Sequence, residues 1–283
     1  VTADPSFIGK INIRGNATGV GILSGIVTLA PEGQIQVDDG ATWVVASTGN
    51  TWGTNRIVSG TLQLGANNAL PVASVITDGS RFDLAGFNQT IAGLNASVTI
   101  TNSSEVADST LTYAGGPSTF TGSIREGARK LNLNIASGTL TLTSANTLSS
   151  PRSTVSVASG AVLDLSYIGT NRVAGLILNG VVQEPGFYSS ATSSPFLIGS
   201  GVIEVANPIP TTPTTITVGV TGNTLSLSWP DSHAGWILQV QTNSLATGLG
   251  SNWTDVPGSA SITSTNITVD PAAPATFFRL RAP

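Results

Sequence analysis

The chain has no cysteine, no methionine and a single histidine, His233, and its only lysines are Lys10 and Lys130. Without cysteine there is no disulfide frame, no thiolate zinc site and no cysteine nucleophile. With one histidine, any Ser-His-Asp arrangement would have to use His233, and no Gly-x-Ser-x-Gly string accompanies it. Charged residues make up 9% of the chain, against roughly 25% in an average soluble domain. So little Glu and Lys leaves almost no material for exposed helix faces, which excludes all-α and coiled-coil readings. A net charge of −4 and a pI near 4.8 remove the clustered cations that a nucleic-acid partner requires. No stretch approaches the roughly 20 apolar residues of a membrane helix, so no membrane insertion is expected. The chain starts at Val1 rather than Met, which reads as a processed form with its leader removed and points to an exported surface protein.

Thr, Ser and Gly fill the gap, with 37, 33 and 32 residues, and the pattern they form has a period of two. Leu131-Asn132-Leu133-Asn134-Ile135, Thr139-Leu140-Thr141-Leu142-Thr143, Gln34-Ile35-Gln36-Val37 and Ser97-Val98-Thr99-Ile100 all alternate apolar with small polar residues. That alternation is the signature of a strand with one buried face. The charged patch Arg125, Glu126, Arg129 and Lys130 is the best helix candidate, but Gly127 interrupts it and it reads as a solvated turn.

The strands recur in order. Ser59-Gly60-Thr61-Leu62-Gln63-Leu64 is echoed by Ser137-Gly138-Thr139-Leu140-Thr141-Leu142, and Asn68-Ala69-Leu70 by Asn146-Thr147-Leu148. Gly79 to Leu84 matches Gly160 to Leu165, which makes Asp83 and Asp164 repeat-equivalent, and Ile91 to Leu94 matches Val173 to Leu176. A partial third copy lies at Ser24 to Leu29 and Gly40 to Trp43. Short strands, glycine corners and ordered repeats predict a β-solenoid, in which stacked coils build a core that no coil could bury alone. At roughly 20–25 residues per coil, about 200 residues give eight to ten coils.

The string Ser59-Gly60-Thr61-Leu62-Gln63-Leu64-Gly65-Ala66-Asn67-Asn68-Ala69-Leu70-Pro71 resembles the autotransporter-associated β-strand repeat of exported bacterial passenger proteins. The second copy keeps the strand but has Leu148-Ser149 in place of Leu-Pro. The resemblance spans about residues 20–180 and implies a right-handed parallel β-helix on a cell surface. The C-terminal membrane barrel of that family is not matched here.

Composition shifts at Asn207-Pro208-Ile209-Pro210-Thr211-Thr212-Pro213, where the prolines favour an extended linker. Beyond it, strands are expected at Thr215 to Val218, Thr224 to Trp229, Trp236 to Gln241, Asn252 to Val256, Asn266 to Val269 and Phe277 to Arg281. This spacing, with tryptophan in the second strand, resembles a fibronectin type III or immunoglobulin-like sandwich. The expected fold is therefore all-β: a parallel β-helix (β-solenoid) followed by a small antiparallel β-sandwich. The expected division is an N-terminal strand or cap over 1–19, the solenoid over 20–206, the linker over 207–214 and the sandwich over 215–283.

The sandwich stops at its sixth strand, so Phe277 to Arg281 would form an open edge. At the other end, Phe7-Ile8-Gly9-Lys10-Ile11-Asn12-Ile13-Arg14 alternates with no repeat partner. It either caps its own solenoid or adds to the open edge of a neighbour. The assembly residues named on the second alternative are Phe7, Ile8, Ile11 and Ile13 on the donor side and Phe278 and Leu280 on the acceptor side.

No catalytic, metal or cofactor constellation emerges. Asp38, Asp39 and Asp78 stand at turns, Asp83 and Asp164 are expected to share a structural role, and His233 is expected in an exposed loop. Trp229 and Trp236 are expected in the sandwich core; Trp43, Trp52 and Trp253 are left open. The expected function is an extracellular, non-enzymatic structural protein that assembles with copies of itself head to tail. A monomeric adhesin binding extracellular glycans is the alternative, and a polysaccharide lyase stands behind it.

Overall fold

A computed structural model describes residues 9–14, 19–206, 212–233, 235–244, 246–269 and 275–282. The chain divides into two compact units, Val1–Ala206 and Asn207–Pro283. The first is a parallel β-solenoid of about seven turns and the second a small antiparallel sandwich.

The solenoid has three faces. The first stacks Lys10–Ile13 on the opening halves of Gln34–Val45 and Thr54–Leu64, then Val75–Asp78 and Gly93–Ala96. Further along the same face lie Ser118–Phe120, Thr139–Leu142, Val162–Leu165 and Leu197–Gly199. The second face runs from Val20–Leu23 through the closing halves of Gln34–Val45 and Thr54–Leu64 to Arg81–Asp83, Thr99–Thr101 and Ser123–Arg125. It ends on Val202–Val205. The third face carries Gln89–Ile91, Ser109–Ala114, Leu131–Ser137 and the closing halves of Leu148–Val157 and Thr170–Leu178.

The period of two decides what each face buries. On the second face Leu62, Phe82, Ile100, Ile124 and Leu148 stand in register, and all are buried. On the third, Ile91, Tyr113, Ile135, Val157 and Leu178 form the matching column. The alternate positions, such as Thr90, Thr112, Asn134 and Ser156, face outward in their own column. Asparagines extend the ladder along the axis: the Asn88 side chain accepts from the Thr110 amide at 2.8 Å and Asn132 from the Thr154 amide at 2.9 Å.

The internal repeats do not coincide with coils. Thr61–Leu64 lies on the second face and Thr139–Leu142 on the first; Arg81–Asp83 lies on the second and Val162–Leu165 on the first. One turn carries Lys10 onto Gln34, Gln34 onto Thr54, Val75 onto Gly93 and Thr139 onto Val162, so the turns differ in length along the axis. The repeat offset, which carries Ser59 to Ser137 and Ile91 to Val173, is a whole number of faces but not of turns. The repeated unit is a strand with its corner. Gly60 and Gly138 hold that corner with φ of +86° and +73°, a region that costs a residue with Cβ roughly 1–2 kcal/mol.

The turns number about seven rather than eight to ten, partly because residues between 179 and 196 form a cap instead of a coil. In that cap Val181–Val182 and Gly186–Tyr188 pair antiparallel with the last parallel strands, beside the short helix Ser190–Ser193. Asp83 and Asp164 lie on different faces, yet each accepts from the side chain stacked on it from the preceding turn, Gln63 Nε2 at 2.7 Å and Thr141 Oγ1 at 3.2 Å. The segment Lys10–Ile13 pairs in parallel with Gln34–Val37, with Ile13 buried and Ile11 half-buried.

The second unit has six strands among the described residues, in two antiparallel sheets. One orders Thr217–Thr221, Thr224–Ser228 and Ser264–Thr268; the other orders Thr254–Asp255, Ile237–Asn243 and Ala275–Arg281. Between them Leu227, Trp229 and Leu238 are buried, with Ile216, Leu225, Val256, Ile267, Phe278 and Leu280 packed partly against them. Trp236 is buried as well.

Candidate assembly site

The Ala275–Arg281 strand pairs along its whole length with Ile237–Asn243, from Ile237 opposite Arg281 to Asn243 opposite Ala275. None of the described strands pairs with its other edge. Across the sandwich, Thr217–Thr221 is one of the two outer strands of the other sheet among the described residues, and its Val218 and Val220 are 57% and 70% exposed. Between these two strands lies an open groove of about 630 Å³, lined by Ile216, Val218, Leu225, Leu227, Phe278 and Leu280 among others. The inward side chains of the last strand are therefore only half covered. A sandwich normally closes such a gap with one more strand, because a long unpaired edge invites pairing with another chain.

This last strand is held from its outer side. Arg279 Nε donates to Gln239 Oε1 at 2.8 Å, and Gln239 Nε2 donates to Asp255 Oδ1 at 2.6 Å. Arg281 Nη2 donates to the other Asp255 oxygen at 3.1 Å. These contacts span all three strands of the sheet. The Gln239 bond, followed by the bond and charge of Arg281, holds the Asp255 carboxyl below its ordinary range. The Arg279 guanidinium also lies 4.3 Å over the Trp253 ring, a cation–π contact on the same surface.

At the start of the solenoid, nothing among the described residues pairs with the outer edges of Lys10–Ile13 and Val20–Leu23. Trp43 packs under this end, beside Gly21, where a side chain would collide with its ring. The first turn is fastened by Arg14, which reaches both oxygens of Asp38 at 2.7 and 2.8 Å. Gln36 links Lys10, Asp38 and Arg56 in one surface network. Bonding to Arg14 and Gln36, with the charges of Arg14 and Lys10, holds the Asp38 carboxyl at about 2.

Of the six residues named for assembly, Phe278 and Leu280 line the groove. Ile11 and Ile13 belong to the first rung of their own solenoid rather than to a donated strand, because their backbone is already paired with Ile35 and Val37. Phe7 and Ile8 lie outside the described residues.

The other candidates serve structure. Asp83 is buried and accepts from Gln63 Nε2, Ser103 Oγ and the amides of Ala85 and Ser103 at 2.6–3.0 Å. Asp39 lies within the strand Gln34–Val45 rather than in a turn and accepts from the Ala41 amide beside the positive-φ Gly40, and Asp78, at the end of Val75–Asp78, pairs with Arg56 at 2.6 Å. Among the described residues no group of three or more His, Asp or Glu side chains could hold a metal ion. His233 is not in an exposed loop but 7% exposed. It closes a short 3-10 turn, packs 5.2 Å from Trp236 and sets Nε2 3.1 Å from the Thr212 carbonyl. A carbonyl only accepts, so Nε2 carries the hydrogen there. The side chain tacks the start of the sandwich onto its core.

One feature of the solenoid interior escaped the sequence reading. Asn55 occupies an inward position between Ile35 and Ile76 and is fully buried, bonded to Trp52, Ser74 and the Val75 carbonyl. An asparagine beside Thr54 reads as a turn residue; its position within the Thr54–Leu64 alternation was the available signal.

No family model, curated protein or solved structure matches this chain.

Proposed function

We propose that this chain is an extracellular structural protein, without enzymatic activity, that assembles head to tail into a surface filament or matrix fibre. The observation that carries this reading is the open apolar groove at Phe278 and Leu280, on the side of Ala275–Arg281 that no described strand covers. An outer strand and an apolar trough together accept an added strand: the backbone provides affinity and the trough provides specificity. The solenoid supports the same reading by its asymmetry. Its far end is closed by antiparallel strands, while no described strand pairs with the outer edges of Lys10–Ile13 and Val20–Leu23 at its start. A contact between two different surfaces of one chain propagates as an open filament whenever its rotation does not close. The carboxylates that a lyase reading would recruit are engaged in bonds that hold turns and strands.

Electron microscopy of the full chain, with light scattering on the same sample, tests the reading. Thin filaments and a mass that grows with concentration are expected. A single monomer mass at every concentration overturns it. The second reading, glycan binding by the sandwich, rests on Trp253 and Arg279 at its surface. Retention on a glycan array that is lost in Trp253→Ala would favour it.

A further inference from the structure

We propose that Thr217–Thr221, an outer strand of the sandwich, pairs antiparallel with the same strand of a second copy about a two-fold axis through Gly219. This contact joins identical surfaces and closes on two copies. It is therefore distinct from a head-to-tail contact and does not rest on that reading; where filaments form, it ties two of them together.

The strand is self-complementary. Thr217-Val218-Gly219-Val220-Thr221 reads the same in both directions. Antiparallel pairing centred on Gly219 sets valine opposite valine, threonine opposite threonine and glycine opposite glycine. Across strands, threonine pairs bond and β-branched pairs pack. A slip of two residues, which keeps the faces, sets threonine against glycine and shortens the ladder.

The backbone groups match as well. The loop Gly222-Asn223 closes on Thr221 opposite Thr224, and the register runs unbroken from there to Thr217 opposite Ser228. With the turn bond between Thr221 and Thr224, bonded positions alternate along the pair. Thr217, Gly219 and Thr221 thus direct N–H and C=O to Thr224–Ser228, while Val218 and Val220 direct theirs to the side where no described strand pairs. In the two-fold register Val218 stands opposite Val220 of the second copy, so these outward groups meet each other.

The surface is apolar and unguarded. All five residues are exposed, and Val218 and Val220 share the side of the sheet that carries Leu225 and Leu227. Pairing lays the valines of both copies side by side, where each shields the other from water. Edges that remain single are commonly guarded by a charge, a proline or a bulge, and this one has none of the three. By contrast, Ala275–Arg281 carries Arg279 and Arg281, and Thr254–Asp255 carries Asp255. The neutral edge is the one a second copy meets without burying or opposing a charge.

The contact is small beside a standard interface of about 1,200–2,000 Å², so it is expected to be reversible, and trapping reads it. The chain has no cysteine to interfere. A Cβ added at Gly219 meets only the Ser226 Cβ, at 3.8 Å, so Gly219→Cys is expected to fold normally. On the axis the two cysteines form a non-bonded antiparallel pair with Cα atoms about 4.5 Å apart, within the disulfide range of about 4.4–6.8 Å. Under mild oxidation, full-length Gly219→Cys is expected to give a covalent dimer on a denaturing gel. Ser226→Cys, exposed on the same side but one strand further in, is expected to stay monomeric. Adding Val220→Lys to Gly219→Cys is expected to abolish the dimer without changing thermal unfolding. A Gly219→Cys chain that stays monomeric while its thiol reacts with a maleimide overturns the proposal. So does a dimer that forms equally from Ser226→Cys or survives Val220→Lys, since collision alone would then explain it. If Gly219→Cys shifts unfolding, Thr217→Cys mixed with Thr221→Cys tests the same register. The gel reads the dimer whether or not filaments form, so failure here and failure of the head-to-tail reading are separate results.

Discussion

Inside the solenoid, the Trp52 indole Nε1 donates to Asn55 Oδ1 at 2.7 Å. Asn55 in turn donates to Ser74 Oγ at 2.8 Å and to the Val75 carbonyl at 3.3 Å. Trp52 and Asn55 are 3% and 0% exposed, so each satisfies the other where water does not reach. Removing one partner strands a buried donor, which costs about 1–3 kcal/mol. Asn55→Ala also leaves a void. It is expected to destabilise the solenoid by about 2–4 kcal/mol, read as a lower midpoint in denaturant unfolding. A midpoint within error of the unaltered chain would contradict the network.

Thr147 presents the opposite case. Its hydroxyl is buried and finds no hydrogen-bond partner among the described residues. Thr147→Val keeps the shape and removes the unsatisfied group, so stability is expected to rise by about 1 kcal/mol. Loss of stability would mean that the hydroxyl has a partner in solution.

The corner glycines separate conformation from composition. Gly138 has φ of +73°, and a Cβ there would collide with the Gly115 carbonyl oxygen. Gly116 has open space around its Cβ position and no positive φ. Gly138→Ala is expected to cost about 2 kcal/mol or more, and Gly116→Ala to stay within about 0.5 kcal/mol of neutral. Equal effects at both sites, measured by thermal unfolding, would refute the corner role.

The Arg14–Asp38 pair gives the first turn an acid limit. The folded carboxyl sits at about 2 against an ordinary 3.8. A lowered folded pKa contributes stability above the unfolded value and loses it as pH falls through the folded one. The fastening of Lys10–Ile13 is therefore expected to hold down to about pH 4 and to weaken between about pH 4 and pH 2. Amide chemical shifts of Asn12 and Gln36 during acid titration report it. In Asp38→Asn that transition should vanish.

The alternation in Leu131–Ser137 and Thr139–Leu142 was legible because side-chain direction in a strand depends only on residue parity. The six described strands of the second unit were legible for a similar reason, from their alternation and spacing. The first turn, the interior asparagine and the buried histidine were not. Ile11 and Ile13 suit a cap and a donor equally well until their pairing with Ile35 and Val37 is seen. Asn55 carries the residue type of a turn, and His233 sits in a run of turn-forming residues. Whether such a side chain points inward depends on partners far along the chain: Ser74 for the asparagine, Thr212 for the histidine.

The sequence by itself determined which segments are strands, which side of each is apolar, and where glycine must turn a corner such as Gly60 or Gly138. These are local properties, set by parity and by the sterics of one residue. Only the tertiary structure decided which face each strand joins and what lies above and below it. A stacking partner sits one turn away along the chain, Thr54 for Gln34 and Val162 for Thr139. Corner length sets that separation, and the internal repeat does not match a whole number of turns. It therefore moves Thr61–Leu64 onto a different face from Thr139–Leu142. Strand identity is written in alternating positions, whereas coil phase accumulates over whole turns and is settled by how the inward side chains pack.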